Sequence, residues 1–208
     1  VEKVSKVEII NRFCSNSAYQ SFHKQGAFLT IINGEQLCKG KPLMYNGRRC
    51  ASTTVYHDGR KGACGCGPEW FDKQFPWNGE LYTAAVNQRF FDFEGTMWCG
   101  DRCGECYELT PTGGYIDGQG EPPRFLHPIT VMITNLCPAE PPNLQWCAQH
   151  HWNQLNMYGY MTHFDLENGR QQISVLGWDN PEVTYKRVQC TGKFESLYEQ
   201  CQCSKDFA

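Results

Sequence analysis

The sequence predicts a mainly β, disulfide-rich domain, a small closed or nearly closed barrel, and three observations carry that reading. Short segments with period-two alternation recur between Gly, Pro, Asn and Asp turn signals. Only one segment after the N-terminus has a convincing helical stripe. Thirteen cysteines occur in 208 residues, a density that belongs to an extracellular scaffold or to metal binding. Cys103-x-x-Cys106 alone fits a zinc half-site. Cys64-x-Cys66 and Cys201-x-Cys203 do not, and no His stands at ligand spacing beside them. Disulfides and a secreted protein are therefore expected, with no metal.

A chain of this length builds one sizeable core. Its net charge of −3 and the lack of a Lys/Arg stripe argue against nucleic acid or anionic membrane as partner. The longest apolar run, Ala27 to Ile32, is too short to cross a bilayer. Val1-Glu2-Lys3-Val4 has no apolar leader core, so any signal peptide is expected to be absent from the mature chain.

In chain order, residues 1–36 differ from the rest: Val1, Val4, Val7 and Ile10 recur at helical spacing, and Cys14 is the only cysteine. We read an N-terminal extension of unknown role, with the barrel over 37–208. Because 13 is odd, Cys14 is the expected thiol without an intrachain partner, free or intermolecular. Asn46-Gly47 signals a turn before a β-rich segment, Ser52 to Gly59, in which Thr54, Tyr56 and Asp58 share a face. By itself Asp58-Gly59 reads equally as a turn carboxylate. After Asn78 as cap, Tyr82, Val86 and Phe90 form an i, i+4, i+8 stripe, predicting the main helix of the fold. Cys106 to Thr110 reads as a strand ending in a tight turn at Thr112-Gly113-Gly114. Ile129 to Thr134 is the most β-like stretch and predicts a core strand.

The segment Cys137–Tyr160, rich in Pro, Asn, Trp and Tyr, suits a carbohydrate groove, although Trp146 or Trp152 could equally be an edge-of-core aromatic. In Tyr160 to Gly169, alternation places Thr162, Phe164 and Leu166 on one face and His163, Asp165 and Glu167 on the other. A half-buried strand of this kind aims Asp165 outward from a rigid backbone. An ordinary solvated face has the same pattern, and a second carboxylate is needed to decide. Gln172–Leu176 and Glu182–Val188 read as closing strands.

Taken together, Cys50-Ala51-Ser52-Thr53-Thr54-Val55-Tyr56-His57-Asp58, Gly62-Ala63-Cys64-Gly65-Cys66-Gly67-Pro68, Cys103-Gly104-Glu105-Cys106-Tyr107-Glu108-Leu109-Thr110, Ile133-Thr134-Asn135-Leu136-Cys137-Pro138 and His163-Phe164-Asp165-Leu166-Glu167-Asn168-Gly169 resemble the glycoside hydrolase family 45 endoglucanases, above all the small molluscan members. The match runs from about Cys38 to Cys203 and includes twelve of the thirteen cysteines. The resemblance implies a six-stranded double-psi β-barrel with short helices and an open groove, cutting internal β-1,4-glucosidic bonds with inversion. It implies Asp165 as general acid in His-Phe-Asp and Asp58 as general base in Thr-x-Tyr-x-Asp. Tyr56 matches a tyrosine beside the cleaved bond. Asn143 matches an asparagine that assists the water or the base. Thr54, His163, Trp146 and Tyr160 complete the candidate substrate contacts. Where fungal members carry another aspartate, seven residues before the acid, this chain has Tyr158, so a third carboxylate in that loop is not expected.

The chemistry stands apart from the resemblance. Inverting hydrolysis needs one protonated carboxyl for the leaving oxygen and one ionised carboxyl to activate water on the opposite sugar face. Asp165 and Asp58 supply the two, and the acid needs a raised pKa, from partial burial and from its anionic partner. His163 reads either as a hydrogen-bond donor near the site or as a structural histidine. The expected partner is a β-1,4-glucan, acted on by a secreted monomer without cofactor. The competing class is a non-hydrolytic expansin-like or barwin-like polysaccharide-binding protein on the same barrel. Expansins lack a counterpart of Asp58 and carry a second domain, for which too few residues follow Cys203.

Overall fold

The computed structural model describes residues 36–150 and 152–204; the helix expected in 1–10 and Cys14 lie outside them. Seven strands form one sheet: β1 Met44–Tyr45, β2 Arg48–Tyr56, β3 Thr83–Asn87, β4 Cys106–Tyr115, β5 Ile129–Cys137, β6 His163–Glu167 and β7 Pro181–Val188. Their order is β1-β2-β6-β3-β5-β4-β7, and a further β2–β7 pairing closes the last six into a barrel. Two of its seams, β2–β6 and β3–β5, are parallel, and the other four are antiparallel. This is the six-stranded double-psi barrel. Short helices α1 (Gln88–Phe91), α2 (Leu144–Cys147) and α3 (Lys193–Tyr198) sit in the connections.

Local sequence accounts for several of these elements. Asn46 and Gly47 both take positive φ, 47° and 76°, as a two-residue hairpin turn requires, and so pair Tyr45 with Arg48. The alternation expected in His163–Glu167 is present, with Phe164 and Leu166 fully buried in the barrel core beside Val86, Leu109, Val131, Ile133 and Val183. Burying each such side chain stabilises the fold by about 1.5–3 kcal/mol. Phe90, Tyr107 and Tyr185 surround Phe164, with ring centroids 5.3–6.3 Å apart within the group.

The helix expected after Asn78 is absent. Thr83–Asn87 is a strand between β5 and β6, buried at every residue. Tyr82 precedes this strand, Val86 lies within it and Phe90 falls in α1, so the i, i+4 spacing runs across several short elements and not along one helix. Asn78 is also buried, donating from Nδ2 to Cys66 O at 3.0 Å instead of capping. Gln172–Leu176 is likewise no strand: Ser174–Leu176 is a turn of 3₁₀ helix closed by Gly177 at φ 61°. Thr112-Gly113-Gly114 does not end β4. It forms an irregularity between Pro111 and Tyr115, after which the strand rejoins β7.

The twelve cysteines from Cys38 onward form six disulfides. Cys64–Cys103, Cys66–Cys201 and Cys99–Cys203 bind the loop after β2 and the approach to β4 to each other and to the C-terminal segment. Cys106–Cys190 joins the start of β4 to the chain beyond β7, Cys38–Cys50 holds the segment before β1 against β2, and Cys137–Cys147 holds α2 against the end of β5.

At the other end of the chain, Glu182 is buried and accepts from Leu37 N and Cys38 N at 3.0 Å, Thr112 Oγ1 at 2.8 Å and Tyr160 OH at 2.6 Å. Gln36, assigned by the sequence reading to the extension, donates to Tyr158 O and Tyr160 OH. The hydrogen-bonded framework therefore already includes residue 36. Among the described residues no helix is long and apolar enough to cross a membrane.

Candidate active site

Parallel pairing of β2 with β6 builds the site. Ser52 is set opposite His163, Thr54 opposite Asp165 and Tyr56 opposite Glu167. Asp165 points to the side of β6 away from Phe164 and Leu166, and Thr54 Oγ1 lies 2.6 Å from its Oδ1. The same hydroxyl is 2.9 Å from His163 Nε2, and His163 Nδ1 is 2.9 Å from Ser52 Oγ. Asn156 Nδ2 reaches Ser52 Oγ at 2.9 Å, while its Oδ1 accepts from the backbone N–H groups of Tyr158 and Tyr160, which fixes the amide's orientation.

Those contacts assign the protons. Thr54 spends its one proton on Asp165 Oδ1, so it accepts from His163 Nε2–H; the Nδ1 of the neutral ring then accepts from Ser52, which itself accepts from Asn156. His163 is fully buried, and that burial pulls its pKa down to about 3, so the ring is neutral. Oδ1 being occupied as an acceptor, the acidic proton of Asp165 resides on Oδ2. Burial pushes the Asp165 carboxyl up to about 6; the Thr54 hydrogen bond opposes this, and the charge of Asp58 adds to it.

Asp58 lies two residues beyond the end of β2 in an exposed turn, with Oδ1 accepting from Arg60 N at 2.9 Å. Together with Asp165, Tyr56, His57, Asn135 and Asn143 it lines a cleft of about 200 Å³. The two carboxylates thus share one cleft in contrasting environments, one buried and one open to solvent. Asn143 precedes α2 and does not cap it with its side chain. Tyr56 is half-buried, and its phenol stays protonated: burial raises its pKa strongly, hydrogen bonding from Asn135 opposes this, and the charges of Asp165, Glu167 and Asp58 add to the rise.

The other expected substrate contacts are placed differently. Thr54 and His163 stand behind Asp165 and do not line the cleft. Tyr160 is fully buried with its hydroxyl on Glu182, so it offers no surface to a sugar. Trp146 is 8% exposed and stacks between His163 and Tyr158, with centroids 5.5 and 4.4 Å away; it is an edge-of-core aromatic. Sequence reasoning missed Asn135. Its Oδ1 accepts from Ala63 N at 2.7 Å and Leu136 N at 2.8 Å, leaving its Nδ2 for Tyr56. The Thr134-Asn135-Leu136-Cys137-Pro138 stretch was the available signal. It also missed the trough of about 530 Å³ that continues the cleft past Asp58, Asn135 and Pro138, walled by Trp70, Phe71 and Trp98. Trp70 is 84% exposed and Phe71 68%, and the two neighbouring rings present a continuous apolar wall to the trough.

A double-psi barrel carrying a shielded acid and an open carboxylate in one cleft defines a polysaccharide-hydrolase type of site. The comparisons are specific. The family model described as EXPB1-like domain 1 matches residues 51–196. The chain is 50% identical over 178 residues to an endoglucanase of Mytilus edulis, covering 81% of this chain and 98% of that one. It is 42% identical over 159 residues to endoglucanase-5 of Hypocrea jecorina, covering 74% and 62%. Among solved structures, β-1,4-D-endoglucanase Cel45A from the blue mussel matches with a TM-score of 0.77 at 50% identity, over 82% of this chain and 99% of that one. The GH45 endoglucanase EG27II, solved in complex with cellobiose, matches with a TM-score of 0.75 at 45% identity, over 81% and 97%. The chain belongs to the glycoside hydrolase family 45 endoglucanases.

Proposed function

We propose that this chain is a secreted endo-β-1,4-glucanase that cleaves internal bonds of cellulose or a related β-glucan with inversion, Asp165 acting as general acid and Asp58 as general base. The observation that carries the reading is the pairing, in one cleft, of a buried carboxyl with a raised pKa and an exposed carboxylate. Asp165 donates its Oδ2 proton to the glycosidic oxygen as the C1–O bond breaks. Asp58 takes a proton from the water that attacks C1 from the opposite face. Asn143, bordering the same cleft, orients that water. The Tyr56 hydroxyl, already protonated, is a donor for the sugar beside the cleaved bond. Trp70, Phe71 and Trp98 offer apolar rings for sugar faces further along the chain. The enzyme works as a monomer outside the cell, where its six disulfides persist.

Carboxymethylcellulose and lichenan test this directly. Viscosity is expected to fall early, when few reducing ends have formed, as cutting within the chain requires. Reducing ends that rise in step with viscosity loss would contradict internal cleavage. Binding to the glucan with no reducing ends released would instead favour the non-hydrolytic alternative, against which Asp58 already argues.

A further inference from the structure

A second buried acid lies two residues beyond Asp165, and the reaction as described has no use for it. Glu167 ends β6 and is 1% exposed. Its Oε1 accepts from His57 Nδ1 at 2.6 Å and Gln74 Nε2 at 3.2 Å. Its Oε2 accepts from Gly169 N and Gln172 Nε2, each at 3.0 Å. A carboxylate, being acceptor only, satisfies all four donors.

What these donors belong to gives the arrangement its meaning. His57 immediately precedes Asp58. Gln74, on the other side, donates its backbone N–H to Gly59 O at 2.9 Å, and Gly59 immediately follows Asp58. The general base itself is exposed, and among the described residues its carboxylate is hydrogen-bonded only within its own turn, to Arg60 N. Both of its flanks are therefore held by one buried carboxylate, and that carboxylate is on the same strand as the acid. Gly169 tightens the arrangement: a Cβ there would come within 2.4 Å of His57 Nδ1 and 2.8 Å of Glu167 Oε1.

We infer that Glu167 is a positioning residue for the reaction, which sets the acid-to-base separation by holding the Asp58 turn through His57 and Gln74. The inference rests on the acid and base roles proposed above. Inverting hydrolysis has to admit a water between the two carboxyls, roughly 6.5–9.5 Å apart, and productive geometry tolerates only about 0.5 Å of error. The span Asp165–Glu167–His57–Asp58 uses one strand end and one hydrogen bond of 2.6 Å. A third carboxylate thus serves the site from the end of β6, in a chain that has Tyr158 where fungal members carry another aspartate.

Two substitutions of the half-exposed His57 separate this role from a sugar contact, because Asn places an amide nitrogen where Nδ1 stood and Gln places one where Nε2 stood. On a soluble β-glucan, His57→Gln is expected to lower kcat by about 10- to 100-fold, the penalty for an ångström-scale misplacement, with KM within about twofold. His57→Asn keeps the bond to Glu167 and is expected to stay within about threefold of the parent. Gly169→Ala, which displaces the ring from the other side, is expected to behave like His57→Gln. Glu167→Gln, which turns one acceptor oxygen into a donor facing donors, is expected to lose kcat likewise, and to add little to the loss already caused by Asp58→Asn, because it acts through Asp58. Full kcat in His57→Gln, a greater loss in His57→Asn than in His57→Gln, or an undiminished effect of Glu167→Gln when Asp58 is already Asn would overturn the inference. If Glu167→Gln fails to fold, the His57 pair and Gly169→Ala decide the matter. Should Asp58→Asn itself keep full activity, the base assignment fails; a crippled Asp58→Asn beside a fully active His57→Gln discards the positioning role alone.

Discussion

Asp165→Asn is expected to lower kcat by more than about a hundredfold while leaving glucan binding intact, because an amide cannot protonate a glycosidic oxygen whose leaving group is poor. The carboxyl pushed up to about 6 must be protonated to act. In the parent enzyme kcat/KM should therefore fall as pH rises through about 6, and Asp58→Asn, by removing a repelling charge, should move that limb to lower pH. The stability effect has the opposite sign to the activity effect. Asp165 binds its proton more tightly folded than unfolded, where the ordinary value is 3.8. Folding stability is thus lost as pH rises from about 4 through about 6 and stays lost above. Asp165→Asn keeps the acceptor for Thr54 and carries no charge to bury. At pH 8 the variant should be more stable than the parent by on the order of 3 kcal/mol, measured by chemical denaturation. An inactive variant that is also destabilised at pH 8 would mean that the cleft does not shield Asp165. Near-normal turnover would remove Asp165 from the mechanism.

Asp58→Asn is expected to be comparably harmful, by about a hundredfold or more, yet to leave measurable turnover. Asn143 borders the same cleft and can still orient a water once the base is gone. Adding Asn143→Ala to Asp58→Asn should then lower the remainder by about a further tenfold. Turnover numbers of the two single variants and the double variant on one soluble substrate give the answer. An Asn143→Ala change without effect in either background would confine water activation to Asp58.

The parts of this site that could be read from the sequence are those encoded locally. Thr54, Tyr56 and the His163–Glu167 alternation lie in short strands whose period of two survives in the fold, and Asn46-Gly47 specifies its own hairpin. The twelve barrel cysteines could be counted as even, but their partners are as many as 135 residues apart, and spacing does not encode that. Thr83–Asn87 misled because a strand buried on both faces loses its alternation. Ser174–Leu176 misled because β-branched and apolar residues also close a compact turn. The face carrying His163 and Glu167 was expected to be outward. Both residues are buried, because β2 and β3 flank β6 and loops cover its polar side. Glu182 and Glu167 could not be recognised as hubs, since each gathers donors from segments remote in the chain. The aromatic wall fell on Trp70 and Phe71 instead of Trp146 and Tyr160 for the same reason: an aromatic's exposure depends on what packs above it.

The proposed division of labour, an acid at the glycosidic oxygen and a base that activates water across the ring, has one direct signature, the configuration of the new reducing end. Proton NMR of a soluble β-1,4-glucan digest, recorded within the first minutes before mutarotation, is expected to show the α-anomer appearing first and the β-anomer growing only as equilibrium is approached. A β-anomer released first would require a covalent glycosyl-enzyme with retention, and would contradict the division of labour between Asp165 and Asp58.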